Sequence, residues 1–433
     1  MLPPTHIEVA KKDLNRVARL MVRKRANDFW EDETRTLPFS MRRLRRKYRS
    51  FAERHLRPIA AAADLDPASI DKAGLFLEYA RWGLATELLP PPFGTMSWSA
   101  VVRRSFLPSL LKVEEMCAAC SGLTVMLGAH DLGMGPLLMS GSAPVFHRFV
   151  LPTYRKIKRG EKCMWAFAIT EPGAGSDVED VHGASKARVS TRAKKVAGGY
   201  RITGRKVFIT SGAIADYITL FACLGDESLE SWTCFVVEPA MPGFSLGRRE
   251  RKLGQKAADA TELILEDVFV PEKNRVGKER SGWALNQLTL TGSRPVVGGV
   301  ALGIARGALE QCLSFCRTVR LGSRPLIEFQ EVRIELAEMM IKVMAARSMA
   351  WNTVARFFPP SPAASAATKV FCSDTANEVC ARAMALISDH ACISGNALEK
   401  SLRDARITQI YEGTNQINRL ALFDDIIGAE SFT

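Results

Sequence analysis

The feature that most constrains the fold of this chain is a block of strand-like sequence between two long helical stretches. Apolar residues recur at helical spacing over residues 14–155 and again after Pro271, up to the end of the chain. Between them, residues 164–270 form short β-branched and aromatic runs separated by Gly, Pro and Asp, which is typical of strands joined by turns. The sequence therefore predicts helices, then an antiparallel β domain, then helices again.

Several strands and breaks can be bounded. We predict strands at residues 164–170, 200–203, 206–210, 217–224, 232–237 and 263–270. Three consecutive prolines within residues 90–94 end a helix, and so does the proline-rich stretch 357–362, because proline cannot continue a helix. The second break indicates a helix–helix connection rather than a domain linker.

Positive charge is concentrated near the N-terminus. The chain carries 59 Lys and Arg against 46 Asp and Glu, a net charge of +13, and 16 of the basic residues lie in the first 60 positions. The centre of this region is the run Arg42, Arg43, Arg45, Arg46, Lys47 and Arg49. Such a run suits an anionic membrane, an acidic protein or nucleic acid, but the solvated face of an amphipathic helix is the favoured interpretation. Without zinc-finger spacing or an aromatic RNA-binding signature, we expect no nucleic-acid partner.

Composition excludes further classes of protein. The chain is 47 % hydrophobic and 24 % charged, which excludes disordered and collagen-like proteins. No run approaches about 18 uninterrupted apolar residues, so we expect no transmembrane segment. Ten scattered cysteines and no apolar leader in the first 25 residues favour a cytoplasmic location. The lone C-x-x-C of Cys117 and Cys120 lacks a second ligand pair, so we expect core thiols and no metal site.

A stripe of glycines marks one C-terminal helix. Gly299, Gly303 and Gly307 are spaced by four and therefore share a face. Each costs about 1 kcal/mol relative to alanine, so the stripe predicts that another backbone or a flat ligand approaches closely. A membrane G-x-x-x-G dimer is the rival interpretation, but Arg294 and Arg306 interrupt the apolar span.

The first candidate binding element is the turn T-E-P-G-A-G-S-D at residues 170–177, directly after a predicted strand. Its backbone N–H groups and the hydroxyls of Thr170 and Ser176 can point at a phosphate or carbonyl oxygen. It is not the dinucleotide-binding G-x-G-x-x-G, since no helix is predicted to follow. Taken alone, such a sequence is most often only a turn.

The second candidate is K-V-F-I-T-S-G at residues 206–212. Phe208 and Thr210, two apart on a strand, point to the same side. That side would offer an aromatic face beside a hydrogen-bond donor, which suits a flat heteroaromatic cofactor. Half-buried strand packing explains the same pattern.

The third candidate combines S-L-R-D-A-R at residues 401–406 with I-Y-E-G-T-N-Q at residues 410–416. Glu412 precedes Gly413 at a predicted helix break, where irregular backbone could hold its carboxylate towards a cavity. If the carboxylate is desolvated there, its pKa rises and it becomes a usable general base near neutral pH. A helix-terminal Glu beside a glycine cap explains the local sequence equally well.

The three motifs, their order and their spacing resemble the acyl-CoA dehydrogenase family of flavoproteins, over residues 41–425. The resemblance implies an α+β fold with an N-terminal helical domain, a middle antiparallel β domain and a C-terminal four-helix bundle. These domains are expected at residues 41–160, 161–275 and 276–433, after a basic extension of residues 1–40.

The resemblance also implies FAD as cofactor and a set of site residues. Those expected at FAD are Phe167, Ile169, Thr170, Gly175, Ser176, Phe208, Thr210, Thr414 and Gln416. Those expected at the substrate are Ser176, Arg294 and Tyr411. Glu412 matches the catalytic base. Some relatives carry the base one residue before the arginine, where this chain has Ser293, and this supports Glu412.

The implied activity is dehydrogenation of an acyl-CoA. Glu412 would remove the α-proton of the thioester while the β-hydrogen leaves as hydride to flavin N5, and an electron-transfer flavoprotein would accept the electrons. Two alternatives stay open: a low-activity or structural subunit of a hetero-oligomer, and an acyl-CoA oxidase or reductase on the same fold. The sequence leaves the acyl group open.

Two segments depart from the family pattern. Residues 319–323 lack the aromatic of the family's R-x-x-F-G segment, and residues 385–391 lack the glycines of its Q-x-L-G-G-x-G loop and carry Asp389. The family uses both segments to reach the cofactor of a neighbouring subunit. We therefore expect a dimer or tetramer, either homo- or hetero-oligomeric, and the departures suggest that a related subunit completes the site.

Overall fold

The computed structural model of the chain describes residues 34–103, 105–179, 187–355, 359–393 and 395–428. Most of the expected basic extension, residues 1–33, lies outside the described residues.

The N-terminal part of the described chain is helical. Its helices are α1 (Phe39–Phe51), α2 (Ala60–Leu65), α3 (Lys72–Arg81), α4 (Trp98–Val102), α5 (Leu107–Met139), α6 (Ala143–Val145) and α7 (Leu151–Lys158). The proline-rich break at residues 90–94 lies in the connection between α3 and α4, as predicted. Helix α5 is kinked at Cys120, whose backbone is extended rather than helical.

The basic run lies on α1. Arg43 and Arg46 are exposed and form the solvated face that the sequence predicts. The prediction is wrong for Arg45, which is buried and pairs with Glu115 of α5 at 2.6 Å. Position 45 lies one helical turn after the buried Met41, so it shares the side of α1 that packs on α5.

The described residues in the middle of the chain form an eight-stranded sheet. Its strands are β1 (Trp165–Ala168), β2 (Arg192–Val196), β3 (Gly199–Thr210), β4 (Tyr217–Leu224), β5 (Trp232–Val237), β6 (Phe244–Arg249), β7 (Ala260–Pro271) and β8 (Arg275–Val276). Their order is β6-β7-β3-β2-β4-β5-β8, and β1 pairs with β4. Pairing is antiparallel except where β4 meets β1 and β2. The predicted α+β fold with an antiparallel-rich β domain is confirmed.

Some strands differ from the prediction. The runs 217–224 and 232–237 coincide with β4 and β5. The runs 200–203 and 206–210 are one strand, β3, because two register shifts against β7 absorb the irregular residues between and within them. The sequence does not predict strands β2 and β6, because most of their side chains are polar or exposed.

The C-terminal part is again helical, with α8 (Gly282–Thr318), α9 (Gln330–Ala355), α10 (Pro362–Ile387), α11 (Ala397–Thr408) and α12 (Asn415–Ile427). A short hairpin of β9 (Arg320–Leu321) and β10 (Arg324–Pro325) joins α8 to α9. Within the described ranges, α8 is long and apolar enough to cross a membrane, but 78 % of its most apolar window is buried inside the protein, as in a core helix.

The glycine stripe lies where α8 packs on α5. A Cβ on Gly303 would lie 2.5 Å from the carbonyl oxygen of Glu114, and one on Gly307 would lie 2.7 Å from that of Ala118. The backbone of α5 occupies the space that a side chain would need. The predicted close approach is therefore confirmed, with a helix rather than a ligand as the neighbour.

Candidate active site

The loop between α11 and α12 carries the candidate base. Helix α12 begins after Thr414, whose hydroxyl accepts a hydrogen bond from the Ile417 N–H and caps the helix. Just before the cap, Glu412 and Gly413 have left-handed backbone, with φ of 55° and 78°. The left-handed backbone of Gly413 and the Glu179 carboxylate, which lies where a Cβ would be, both favour glycine at this position.

The carboxylate of Glu412 lies against α8. Ser293 donates its hydroxyl to Glu412 Oε2 at 2.7 Å. Burial raises the pKa of Glu412 to about 7, with a contribution from the nearby Glu179 carboxylate, while Ser293 opposes the rise. A carboxyl with this pKa exchanges protons near neutral pH, as a general base must.

Two further charged groups lie beneath the loop. Glu179 follows the turn after β1, and its Oε2 accepts a hydrogen bond from Arg294 of α8 at 2.9 Å. Both side chains are buried, and burial raises the pKa of Glu179 although Arg294 opposes the rise. Arg294 is therefore paired inside the protein rather than free on a binding surface.

Lys369 of α10 holds the backbone of the same loop. Its ammonium donates to the Gly413 carbonyl and to Asn415 Oδ1, both at 2.7 Å. Asn418 adds donations to the carbonyls of Gly413, at 2.9 Å, and Thr414, at 3.0 Å. Burial lowers the pKa of Lys369 to about 7. Side chains of α10 and α12 thus donate hydrogen bonds to the backbone carbonyls of this irregular loop.

The turn after β1 is held by a buried ion pair. Glu171 and Ala174 exchange two backbone hydrogen bonds, which close the turn. The Glu171 carboxylate meets Lys206 of β3 at 2.7 Å and accepts a hydrogen bond from the Thr191 N–H at 3.0 Å. Burial opposes ionisation, but Lys206 and these donors lower the pKa of Glu171. The Val207 N–H also donates to the Thr170 carbonyl, so the turn is fixed to β3.

The turn and the base loop meet directly. The Thr414 N–H donates to Ser176 Oγ at 3.1 Å, across 238 positions of sequence. The first and third motifs therefore form one site, in which Ser176 joins the turn to the residue that follows Gly413.

The second motif differs from the regular strand that the sequence predicts. A register shift between Lys206 and Ile209 and the left-handed backbone of Phe208, with φ of 60°, interrupt the alternation assumed between Phe208 and Thr210. The prediction of regular strand alternation between Phe208 and Thr210 is therefore wrong. The ring of Phe208 is 56 % exposed, and a Cβ on Gly175 would meet open space. An uncovered aromatic ring and an open glycine turn suit a flat ligand with polar edges.

The remaining expected residues occupy varied positions. Phe167 is buried and packs edge-on against Phe221, with ring centroids 5.4 Å apart. The carbonyl of Ile169 accepts a hydrogen bond from Lys206. The Tyr411 hydroxyl accepts one from Gln255 Nε2 at 3.3 Å. Gln416 is exposed in the first turn of α12.

Sequence reasoning missed several residues of the site. Ser293 is considered there only as an absent base, whereas the structure makes it the donor to Glu412. Glu179 and Lys369 belong to none of the three motifs, and no local pattern marks either one. Gln255 carries a signal only in the structure, where it is buried with a left-handed backbone.

Comparisons with known proteins agree over the whole described fold. Models of the acyl-CoA dehydrogenase N-terminal, middle and C-terminal domains match residues 40–155, 166–268 and 280–426. Cyclohexane-1-carbonyl-CoA dehydrogenase of Geobacter metallireducens is 33 % identical over 381 residues, which cover 88 % of this chain and 95 % of that protein.

Solved structures give the same result. Butyryl-CoA dehydrogenase from Megasphaera elsdenii matches with a TM-score of 0.81 and 27 % identity, covering 90 % of this chain and 99 % of that chain. A chain in a structure described as the electron transferring flavoprotein of Acidaminococcus fermentans matches with a TM-score of 0.81 and 29 % identity, covering 91 % and 99 %. The chain belongs to the acyl-CoA dehydrogenase family, whose members are FAD-dependent oxidoreductases.

Proposed function

We propose that the protein catalyses the FAD-dependent α,β-dehydrogenation of an acyl-CoA thioester, with Glu412 as the base. The observation that carries this proposal is the position of Glu412, on left-handed backbone between two helices, with its carboxylate bound to Ser293 and its pKa raised to about 7 by burial. A surface carboxylate would be a weaker base, because its pKa lies further below the working pH.

The residues present fit FAD. Thr170, Ser176, Thr210 and Thr414 supply hydroxyl and backbone donors around the turn after β1 and the end of β3, and Phe208 presents an uncovered ring. Bound there, FAD supplies the acceptor for the hydride of the substrate. The buried Glu171–Lys206 pair fixes the turn after β1 to β3.

The protein's own part in the chemistry is proton removal. Ser293 orients the Glu412 carboxylate, and the contact between Thr414 and Ser176 keeps the base loop against the turn. Glu412 then takes the α-proton of the thioester. A fixed base beside its target acts without the entropy cost of an encounter in solution.

The proposal extends to partners and location. Named relatives act on cyclohexane-1-carbonyl-CoA and butyryl-CoA, so alicyclic and short straight-chain acyl groups are the first substrate classes to test. The match to a chain in an electron transferring flavoprotein structure supports an electron-transfer flavoprotein as the acceptor. We place the enzyme in the cytoplasm, on the cysteine content of its sequence.

We also propose that the protein is an oligomer assembled through its C-terminal bundle. Large apolar side chains are exposed on three helices of this bundle, and patches of this kind mark subunit interfaces. These residues are Ile334, Ile341 and Met344 on α9, Phe371 on α10, and Leu420, Phe423, Ile426 and Ile427 on α12. The mass of the purified protein tests this directly, and full flavin occupancy in a homo-oligomer would contradict the hetero-oligomer hypothesis.

The central experiment measures bleaching of the visible flavin band. The purified chain, supplied with FAD, is mixed without oxygen with a panel of acyl-CoA thioesters that includes cyclohexane-1-carbonyl-CoA and butyryl-CoA. We expect at least one to bleach the band, and Glu412→Gln to retain the band while bleaching slows by about 10³-fold. A matched control is Glu87→Gln, which alters a buried carboxylate of the N-terminal helical part.

Three outcomes decide the proposal. Bleaching that persists in Glu412→Gln would remove Glu412 from its role. A panel that never bleaches a fully loaded protein would favour a structural subunit. Rapid reoxidation of the bleached flavin by oxygen would identify an oxidase on the same fold.

A further inference from the structure

Four charged side chains from four separate parts of the chain meet at the base loop. Glu179 comes from the turn after β1, Arg294 from α8, Lys369 from α10 and Glu412 from the loop itself. Two are acidic and two basic, so the cluster is neutral when all four are ionised. The chemistry needs Glu412 alone to accept a proton, which leaves the other three without a catalytic task.

Glu179 and Lys369 both lie against Gly413 of the base loop. The Glu179 carboxylate lies where a Gly413 side chain would be, and Lys369 donates to the Gly413 carbonyl at 2.7 Å. The residue next to the base is therefore held between a buried anion and a buried cation. Movement of either group would move the backbone that carries Glu412.

We infer that Glu179 and Lys369 are positioning residues for the base, which set from opposite sides the pH at which Glu412 accepts a proton. This inference rests on the proposed role of Glu412. A buried anion favours the protonated, neutral carboxyl, whereas a buried cation favours the carboxylate. Neither residue touches the reacting atoms, so each acts through Glu412.

Other groups also surround Glu412. Arg294 is bound to Glu179, and its charge too lowers the pKa of Glu412, whereas Ser293 and Tyr411 are neutral near pH 7. Asp374 of α10 lies behind Asn415, from which it accepts a hydrogen bond at 2.7 Å, and Asp177 lies next to Ser176 on the turn. Glu179 and Lys369 are thus the two charged groups that lie against Gly413, the residue next to the base.

The test uses the loaded holoenzyme and two substitutions of opposite sign. In Glu179→Gln, the pH profile of flavin bleaching should move down by about one unit, because an anion is lost and Arg294 is freed to act on Glu412. In Lys369→Met, the profile should move up by about half a unit, because the pKa of Lys369 is itself lowered to about 7 and only a partial positive charge is lost where Glu412 titrates. Lys369→Arg restores the charge and should restore most of the wild-type profile.

A second readout does not need catalysis. The infrared carbonyl band of the protonated Glu412 carboxyl, assigned by its loss in Glu412→Gln, is titrated in the same variants. It should shift in the same opposite directions. If the protein proves not to be a dehydrogenase, this titration still decides the inference, so the two failures can be told apart.

Controls separate positioning from general damage. Lys112→Met removes another fully buried lysine, which pairs with Asp131 at 2.9 Å in the N-terminal helical part, and Glu87→Gln removes a buried carboxylate near it. Both should change stability and leave the profile unmoved. The inference is overturned if Glu179→Gln and Lys369→Met shift the titration in the same direction, or if folded, FAD-loaded variants shift neither readout.

Discussion

Two buried lysines in the described part of the chain, Lys206 and Lys369, have different hydrogen-bond partners. Lys206 pairs with Glu171 at 2.7 Å, and the paired carboxylate has a lowered pKa. Lys369 donates instead to a carbonyl and an amide oxygen at 2.7 Å, while burial raises the pKa of the nearby Glu412.

The difference lies in the partner, because the residue types are the same. The contact with Lys206 favours the charged form of Glu171 and fixes the backbone of the turn to β3. A buried lysine bound to neutral oxygens leaves the neighbouring carboxyl free to exchange a proton. The first arrangement fixes the turn after β1, and the second lies at the loop that carries Glu412.

The largest expected effect comes from breaking the paired arrangement. Glu171→Gln leaves Lys206 buried without the carboxylate that it meets among the described residues, and we expect a loss of about 4 kcal/mol in the free energy of unfolding. Denaturant unfolding measures it. Glu179→Gln should lower the free energy of unfolding by less, because Arg294, the partner of Glu179, still has the Glu412 carboxylate nearby. Equal losses in the two variants would erase the distinction between the two arrangements.

The raised pKa of Glu412, near the lysine that binds neutral oxygens, should be visible in the pH dependence of the wild-type protein. Because the pKa of Glu412 is raised to about 7, flavin bleaching should slow about tenfold for each pH unit below that value. Glu171, whose pKa is lowered, should not titrate in this range. Stopped-flow bleaching across pH measures the profile, and a rate that stays flat down to about pH 5 would show an ordinary carboxylate.

A smaller effect concerns stability. The pKa of Glu412 is about 7 in the folded protein, above its ordinary value of 4.5. The fold therefore favours the protonated carboxyl. The stability that this contributes is fully present below pH 4.5 and is lost as the pH rises to about 7. Glu412→Gln should therefore raise the free energy of unfolding by about 2 kcal/mol near pH 8 and change it little near pH 4. Denaturant unfolding at both pH values tests this, and a gain of the same size at both would contradict it.

The smallest effect is expected at Ser293. Its hydroxyl donates to the Glu412 carboxylate at 2.7 Å and stabilises the charged form. Ser293→Ala should raise the pKa of Glu412 and move the bleaching profile up by about half a unit. Ser293→Thr keeps the hydroxyl donor and serves as the control. A downward shift in the alanine variant would contradict the assigned direction of the hydrogen bond.

The sequence was informative where chemistry and local geometry coincide. Glu412 beside Gly413 indicates irregular backbone, and the structure has left-handed backbone at both residues. The glycine stripe of α8 predicts a close neighbour, since nothing else explains small residues spaced by four. The basic run predicts a solvated face but fails at Arg45, because burial depends on which side of α1 meets α5.

By itself, the sequence determined the order of helices and strands, the three motifs and the residue that we propose as the base. These follow from periodicity and from residue types that are near neighbours along the chain. Tertiary structure alone decided that Glu179, Arg294 and Lys369 surround that base, that Ser293 is its donor, and that Glu171 is paired with Lys206. The physical reason is that proton affinity depends on burial and on neighbouring charges, which only the folded chain brings together.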